Sequence, residues 1–159
     1  MIATNSEATA DREMVITRMF DAPRALVFAA WTDPAHIAQW WGPKGFTTPV
    51  CELDVRLGGA MLIHMRGPDG SMYPGRGVFH EIVAPERLVF TTTAFDDAAG
   101  KPGLEVRNTV TFTEQEGKTQ LRLHAVVVTA VPEVAGALAG MEQGWSQSLE
   151  KLAEHMDAV

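Results

Sequence analysis

Five histidines and one cysteine are the side chains of this sequence that could most readily bind a metal or transfer a proton. They are spread along the chain, as His36, Cys51, His64, His80, His124 and His155. None stands at a metal-ligating spacing, and the segment "FHEIV" supplies His80 and Glu81 without a second histidine four residues on. The G-x-S-x-G and P-loop patterns are also missing from the sequence. The sequence therefore predicts no metal, no cofactor and no catalytic residue, and leaves open whether the protein is an enzyme.

Polar residues interrupt three strand faces that are otherwise apolar. Strand alternation places one polar residue in each of these strands on the apolar face that is expected to point inward. These residues are Glu81, Thr92 and Asn108. A buried polar group costs free energy unless a partner or a ligand satisfies it. These side chains either pair with one another near strand ends or contact a ligand. His64 and His124, in two other predicted strands, could likewise face a cavity.

Three of the four tryptophans stand within eleven residues, in "AAWTDPAHIAQWWGP". Such a cluster suits a core, a partner surface or a cavity wall, because tryptophan combines a large apolar body with one polar N–H. Trp40 and Trp41 are about 100° apart around a helix axis, so they cannot both point to the same spot. We expect Trp31 in the core and at least one of the other two at a cavity mouth, beside Phe46.

Composition is typical of a compact globular protein. The chain has 159 residues, of which 46% are hydrophobic and 21% charged, and its net charge is −7. A nucleic-acid surface is not predicted, because phosphate binding needs a clustered basic stripe. No apolar run reaches the ~18 residues that a membrane span needs. A single cysteine, without a signal-peptide pattern, predicts a cytoplasmic protein.

The periodicity of apolar residues divides the chain into three parts. A first strand, "EMVITRMF", precedes two short helices, the second of which begins at Asp33 and Pro34 and stops at Gly42 and Pro43. From Phe46 to about residue 128, alternating segments and short turns predict further strands, about seven in all, paired antiparallel. Residues 1–11 are predicted to form a flexible tail and residues 12–159 a single domain.

The C-terminal part has the strongest pattern. After Pro132, apolar residues recur at spacings of three and four, which predicts one amphipathic helix of about 25 residues with Trp145 and Leu149 buried against the sheet. Gly136, Gly140 and Gly144 each cost about 1 kcal/mol in a helix interior relative to alanine. They either allow close packing on the sheet or leave room for a ligand. The whole order predicts an α+β fold, a curved antiparallel sheet around a long helix.

An ordered set of motifs carries a resemblance to a known family. The segments "TRMFDAPRALVFAAWTDPAHIAQWWGP", "ELDVRLGGAM", "MRGPDGS", "EIVAPERLVFT" and "GWSQSLEKL" resemble the activator of heat-shock protein 90 ATPase homologue-like family. That family lies within the SRPBCC, or START-like, superfamily. The resemblance runs from about Val15 to the C-terminus. It implies the helix-grip fold, with a cavity between sheet and helix for apolar or amphipathic molecules, and no fixed catalytic residues.

The resemblance and the pattern together predict a small-molecule binding domain. The side chains expected to contact the ligand are Trp40, Trp41, Phe46, His64, Phe79, Glu81, Phe90, Thr92, Asn108, Phe112, Met141, Gly144 and Trp145. One alternative is a cyclase or dehydratase acting on a polyketide-like substrate, with Glu81 or His64 as general acid or base. Another is activation of a heat-shock protein 90 ATPase through the protein surface. The identity of the ligand and the oligomeric state stay open.

Overall fold

A computed structural model describes residues 13–158 of the chain, so the tail predicted over residues 1–11 lies outside the described residues. A strand and two short helices come first: β1 (Glu13–Phe20), α1 (Arg24–Thr32) and α2 (Pro34–Trp40). Six strands follow: β2 (Thr47–Leu53), β3 (Ala60–Arg66), β4 (Met72–Val83), β5 (Arg87–Asp96), β6 (Pro102–Gln115) and β7 (Lys118–Ala130). A short 3₁₀ turn (Pro132–Val134) then leads into α3 (Ala135–Ala139) and α4 (Met141–Ala158).

One antiparallel sheet contains all seven strands, in the order β1-β7-β6-β5-β4-β3-β2. The β6–β7 hairpin turns at Glu116 and Gly117, whose φ angles of 53° and 80° are those that tight hairpin turns require. The C-terminal helix packs across the inner face of the sheet. The predicted α+β helix-grip fold, with its curved sheet of seven strands, is confirmed.

The second short helix begins where the sequence predicts. The Asp33 side chain accepts a hydrogen bond from the Ala35 N–H at 2.9 Å, and Pro34 takes the first helical position, where it loses no hydrogen bond. Ile37 and Trp40 of α2 are buried, as is Trp31 of α1. The helices thus form part of the core, and Trp31 lies there as predicted.

The C-terminal helix differs from the prediction in one respect. The single helix of about 25 residues is split at Gly140, whose φ of −90° and ψ of 0° interrupt the helical run between α3 and α4. Glycine has little helix preference, so the apolar stripe continues across a bend at low cost. Leu149 is fully buried as predicted, whereas Trp145 is half-buried.

Candidate functional site

A cavity of about 1000 Å³ lies between the sheet and the C-terminal helices. Its lining is mostly apolar and comes from strands β3 to β6, from α3 and α4, and from the segment that follows α2. The sheet contributes residues 61–65, 72–76, 92–96, Leu104, Val106 and Asn108. The remaining wall consists of Trp41, Gly42, Pro43, Phe46, Ala137, Gly140, Met141, Gly144, Trp145 and Ser148.

Exposure along the strands shows which end of the cavity is closed. On β6 it rises from Asn108, which is 0% exposed, through buried Val106 to half-buried Leu104. On β5 it rises from Phe90 to Phe95, which is 47% exposed. The closed end therefore lies near Asn108, and the mouth lies near Phe95.

Aromatic rings form one wall of the cavity. Trp41 and Trp145 meet edge-to-face with 5.2 Å between ring centroids, and Trp145 also stacks on buried Trp31 at 5.8 Å. Rings of this size give a rigid wall at a low cost in side-chain entropy. Trp145 keeps its partial exposure because one of its faces borders the cavity rather than the core.

Helix α4 holds the segment of residues 41–46 in place. The Lys151 ammonium donates to the carbonyl oxygens of Gly42 at 3.2 Å, Pro43 at 3.5 Å and Phe46 at 3.2 Å. The Gly42 N–H donates to Ser148 Oγ at 3.1 Å. Burial lowers the pKa of Lys151, and the nearby Glu154 opposes that shift. These bonds position the backbone that carries Trp41 and Phe46.

Most of the residues predicted to contact a ligand are gathered around this cavity. Eight of the thirteen line it, namely Trp41, Phe46, His64, Thr92, Asn108, Met141, Gly144 and Trp145. Met61 and Ile63 of β3 are buried, and strand alternation turns the His64 side chain to the opposite face. His64 therefore borders the cavity mainly through its backbone.

Four apolar residues expected at the ligand belong to the core instead, and the prediction is corrected for them. Trp40, Phe79, Phe90 and Phe112 are at most 2% exposed and are not part of the cavity lining. The Trp40 indole N–H donates to the Ala30 carbonyl at 3.0 Å, so both its ring and its polar atom are satisfied by the protein. Trp41, the next residue, takes the place beside Phe46 at the cavity.

Glu81 also lies away from the cavity, and the reason is local. The pairing of β4 with β5 shifts between Phe79 and Glu81, which leaves His80 as a bulge. A bulge adds one residue to one strand, so side chains beyond it exchange faces. Glu81 consequently points outward and pairs with Arg87 at 2.9 Å. Its predicted role in the cavity is wrong.

The other titratable candidates lie apart from one another. His36 and His155 contact each other, His80 bonds to Thr91, and His124 bonds to Glu13. Burial, followed by the charges of Asp33 and Glu52, raises the pKa of the Cys51 thiol to about 11, which makes it a poor nucleophile near neutral pH. Within residues 13–158, no three His, Cys, Asp or Glu side chains come together as a metal site would require.

Sequence reasoning missed several residues of the site. Met61, Ile63 and Met65 lie at alternate positions of β3, but the apolar Leu62 between them obscures the period-2 pattern that could have marked them as inward-facing. Lys151 carried no such signal, because its partners are more than a hundred residues away in the chain.

These features define a class of protein: an α+β helix-grip domain with an apolar cavity between its sheet and its C-terminal helix, as in SRPBCC-like proteins. Residues 21–157 match the family model described as Activator of Hsp90 ATPase homolog 1-like protein. The chain belongs to that family. No curated protein matches it significantly in sequence.

Solved structures with this fold come from several bacteria. A protein of Arthrobacter aurescens is 26% identical with a TM-score of 0.81, over 95% of this chain and 89% of that one. A protein of Chromobacterium violaceum is 29% identical with a TM-score of 0.74, over 90% and 95% of the two chains. A protein of Silicibacter pomeroyi named AHSA1 is 26% identical with a TM-score of 0.75, over 92% and 98%.

None of the helices in the described part of this chain is both long and apolar enough to cross a membrane.

Proposed function

We propose that this protein binds an apolar or amphipathic small molecule in the cavity between the sheet and the C-terminal helices. The observation that carries the proposal is the cavity itself, about 1000 Å³ in volume and lined mainly by aromatic and aliphatic side chains. Small-molecule sites in proteins have this character, with a largely apolar wall and a few polar groups that orient the ligand.

The mouth of the cavity supports the same proposal. Met72, Tyr73 and Phe95 border the cavity and remain substantially exposed. An apolar ligand entering between these side chains would remove their surface from water as well as its own, and this burial favours binding.

We do not propose catalysis. The cyclase or dehydratase alternative needs an acid or base inside the cavity, and its two candidates were Glu81 and His64. Glu81 pairs with Arg87 on the outer face, and the His64 side chain is on the face opposite to buried Met61 and Ile63. Activation of a chaperone ATPase rests on the family name alone. The single domain over residues 12–159 and the cytoplasmic location expected from the lone cysteine remain part of the proposal.

Two glycines of the C-terminal helices allow a matched test of binding. Gly144 lines the cavity, and a Cβ there would meet only Pro43 Cγ, at 3.5 Å. Gly136 lies outside the lining, and its added Cβ would meet no atom within 4 Å. Leucine favours a helix at both positions, but only Gly144→Leu extends a side chain into the cavity. We expect the neutral fluorophore N-phenyl-1-naphthylamine to bind wild type and Gly136→Leu alike, and Gly144→Leu at least about tenfold more weakly.

Fluorescence titration measures this binding, and displacement by fatty acids, polyketide-like aromatics or sterols then ranks ligand classes. Circular dichroism establishes that both variants are folded. If the fluorophore does not bind wild type, and calorimetric titration detects none of the three ligand classes, the proposal is wrong. Equal binding to the two glycine variants would move the site to another part of the molecule.

A further inference from the structure

The closed end of the cavity carries a buried hydrogen-bond acceptor for which the described part of the chain supplies no donor. Asn108 Nδ2 lies 3.4 Å from the carbonyl oxygens of both Phe90 and Val106, and 3.3 Å from Thr92 Oγ1. The two carbonyls determine which way the amide is turned, because the opposite orientation would place Oδ1 against them. Asn108 Oδ1 is buried and has no hydrogen-bond donor among residues 13–158.

An unpaired acceptor at this depth calls for a physical explanation. Asn108 is 0% exposed, so bulk water does not solvate its side chain, yet the residue borders the cavity. Buried polar atoms without a partner are uncommon because the lost hydration is not recovered. A donor on a molecule inside the cavity would recover it.

The distribution of charge around the cavity restricts what this molecule can be. Among residues 13–158, the only Arg, Lys, Asp or Glu residues in the lining are Arg76 and Asp96, and they pair with each other at 2.9 Å while remaining partly exposed. Apolar Val106 and Trp145 border the cavity together with Asn108. An anionic group would lose its hydration at the closed end without gaining a cation.

We propose that the ligand is an uncharged, largely apolar molecule that enters with a hydrogen-bond donor leading, and that this hydroxyl or N–H donates to Asn108 Oδ1. The inference rests on the proposed function, since it specifies the chemistry of a ligand in the same cavity. Phenols and neutral alcohols have this chemistry. Carboxylates lack this chemistry because they are charged, and they would bind with the carboxylate at the mouth of the cavity.

A series of naphthalenes that differ in one substituent tests this preference for a hydrogen-bond donor in the wild-type protein. Calorimetric titration would compare 2-naphthol, 2-methoxynaphthalene, naphthalene and 2-naphthoate at pH 7. We expect 2-naphthol to bind about tenfold more tightly than 2-methoxynaphthalene, which lacks the donor, and 2-naphthoate to bind most weakly. Equal affinities, with N-phenyl-1-naphthylamine still bound, would overturn the inference and leave the proposed function standing. If none of the five compounds binds wild type, the inference is wrong, and the proposed function then depends on the titrations with fatty acids, polyketide-like aromatics and sterols.

A variant pair assigns the preference to Asn108. Asn108→Leu keeps the branched shape of the side chain and removes the acceptor, so 2-naphthol should lose its advantage over 2-methoxynaphthalene. Thr109→Val is the control and should keep it, because Thr109 is the next residue of β6 and is not part of the cavity lining. Should Asn108→Leu fail to fold, the ¹³Cγ resonance of Asn108 in wild type gives an independent measurement. It should move downfield with 2-naphthol and not with 2-methoxynaphthalene, and an unmoved resonance would contradict the proposal.

Discussion

The imidazole of His36 in α2 contacts the imidazole of His155 in α4. Nδ1 of His36 lies 2.7 Å from Nε2 of His155. The contact needs one nitrogen as donor and the other as acceptor, so protonation of both rings removes it. Burial, and then the proximity of His36, lowers the pKa of His155 below its ordinary value of 6.5. The pair is therefore stable in its neutral form.

This shift predicts a loss of stability in mild acid. Because the folded-state pKa of His155 is depressed, the unfolded chain binds more protons between that pKa and 6.5. The contribution of His155 to the free energy of unfolding should therefore be fully present above pH 6.5. It should be lost as the pH falls toward the folded-state pKa of His155. Urea denaturation from pH 7.5 to 5 measures it. His155→Asn should flatten the dependence, whereas His80→Asn, at an exposed histidine, should not. An unchanged slope in His155→Asn would contradict the prediction.

At the scale of elements, the cavity wall depends on how α4 holds the segment of residues 41–46, which follows α2. Lys151 has three carbonyl acceptors there, and Ser148 binds the Gly42 N–H. Hydrogen bonds from charged groups to buried acceptors are among the stronger ones in proteins. The side chains that border the ligand space are thus positioned by a helix distant in sequence.

Removal of this charge should therefore affect both stability and binding. Lys151→Met keeps the apolar stem and loses the donors, and we expect a decrease of roughly 1 to 3 kcal/mol in the free energy of unfolding. Trp41 and Phe46 should also move, which would weaken N-phenyl-1-naphthylamine binding. Lys44→Met is the control, because Lys44 makes an exposed ion pair with Glu150 at 2.7 Å, and it should cost less. Equal losses in the two variants would argue against a positioning role for Lys151.

At the scale of the whole molecule, the fold depends on one helix packed in the concave face of one sheet. Leu149 is 0% exposed and belongs to the same core cluster as Leu123 of β7 and Phe112 of β6. Helix α4 therefore connects the core under the short helices with the wall of the cavity.

Truncation of the Leu149 side chain should destabilise the whole fold. Leu149→Ala removes buried methyl groups and leaves a void, so we expect the free energy of unfolding to fall by about 2 to 5 kcal/mol. Leu57→Ala, at a side chain that is 75% exposed, should change it little. Urea denaturation monitored by circular dichroism measures both. A loss below roughly half a kcal/mol for Leu149→Ala would be inconsistent with a central helix.

The sequence by itself determined the elements and their order, because the signals involved are local. Asp33 and Pro34 start α2, Glu116 and Gly117 turn the last hairpin, and apolar spacings of three and four mark the C-terminal helix. Each depends on the conformational preferences of a few neighbouring residues. The inward position of Asn108 followed from the same alternation, since no bulge lies between it and Val110.

Tertiary structure alone decided which of these residues meet at a site. The bulge at His80 turned Glu81 outward, and no alternation rule could anticipate one extra residue. The division between Trp40 in the core and Trp41 at the cavity followed from how α2 packs against the sheet and α4. Lys151 found its three carbonyls across more than a hundred residues of chain. A cavity is the space left by such long-range packing, and its lining is therefore determined only when the whole chain has folded.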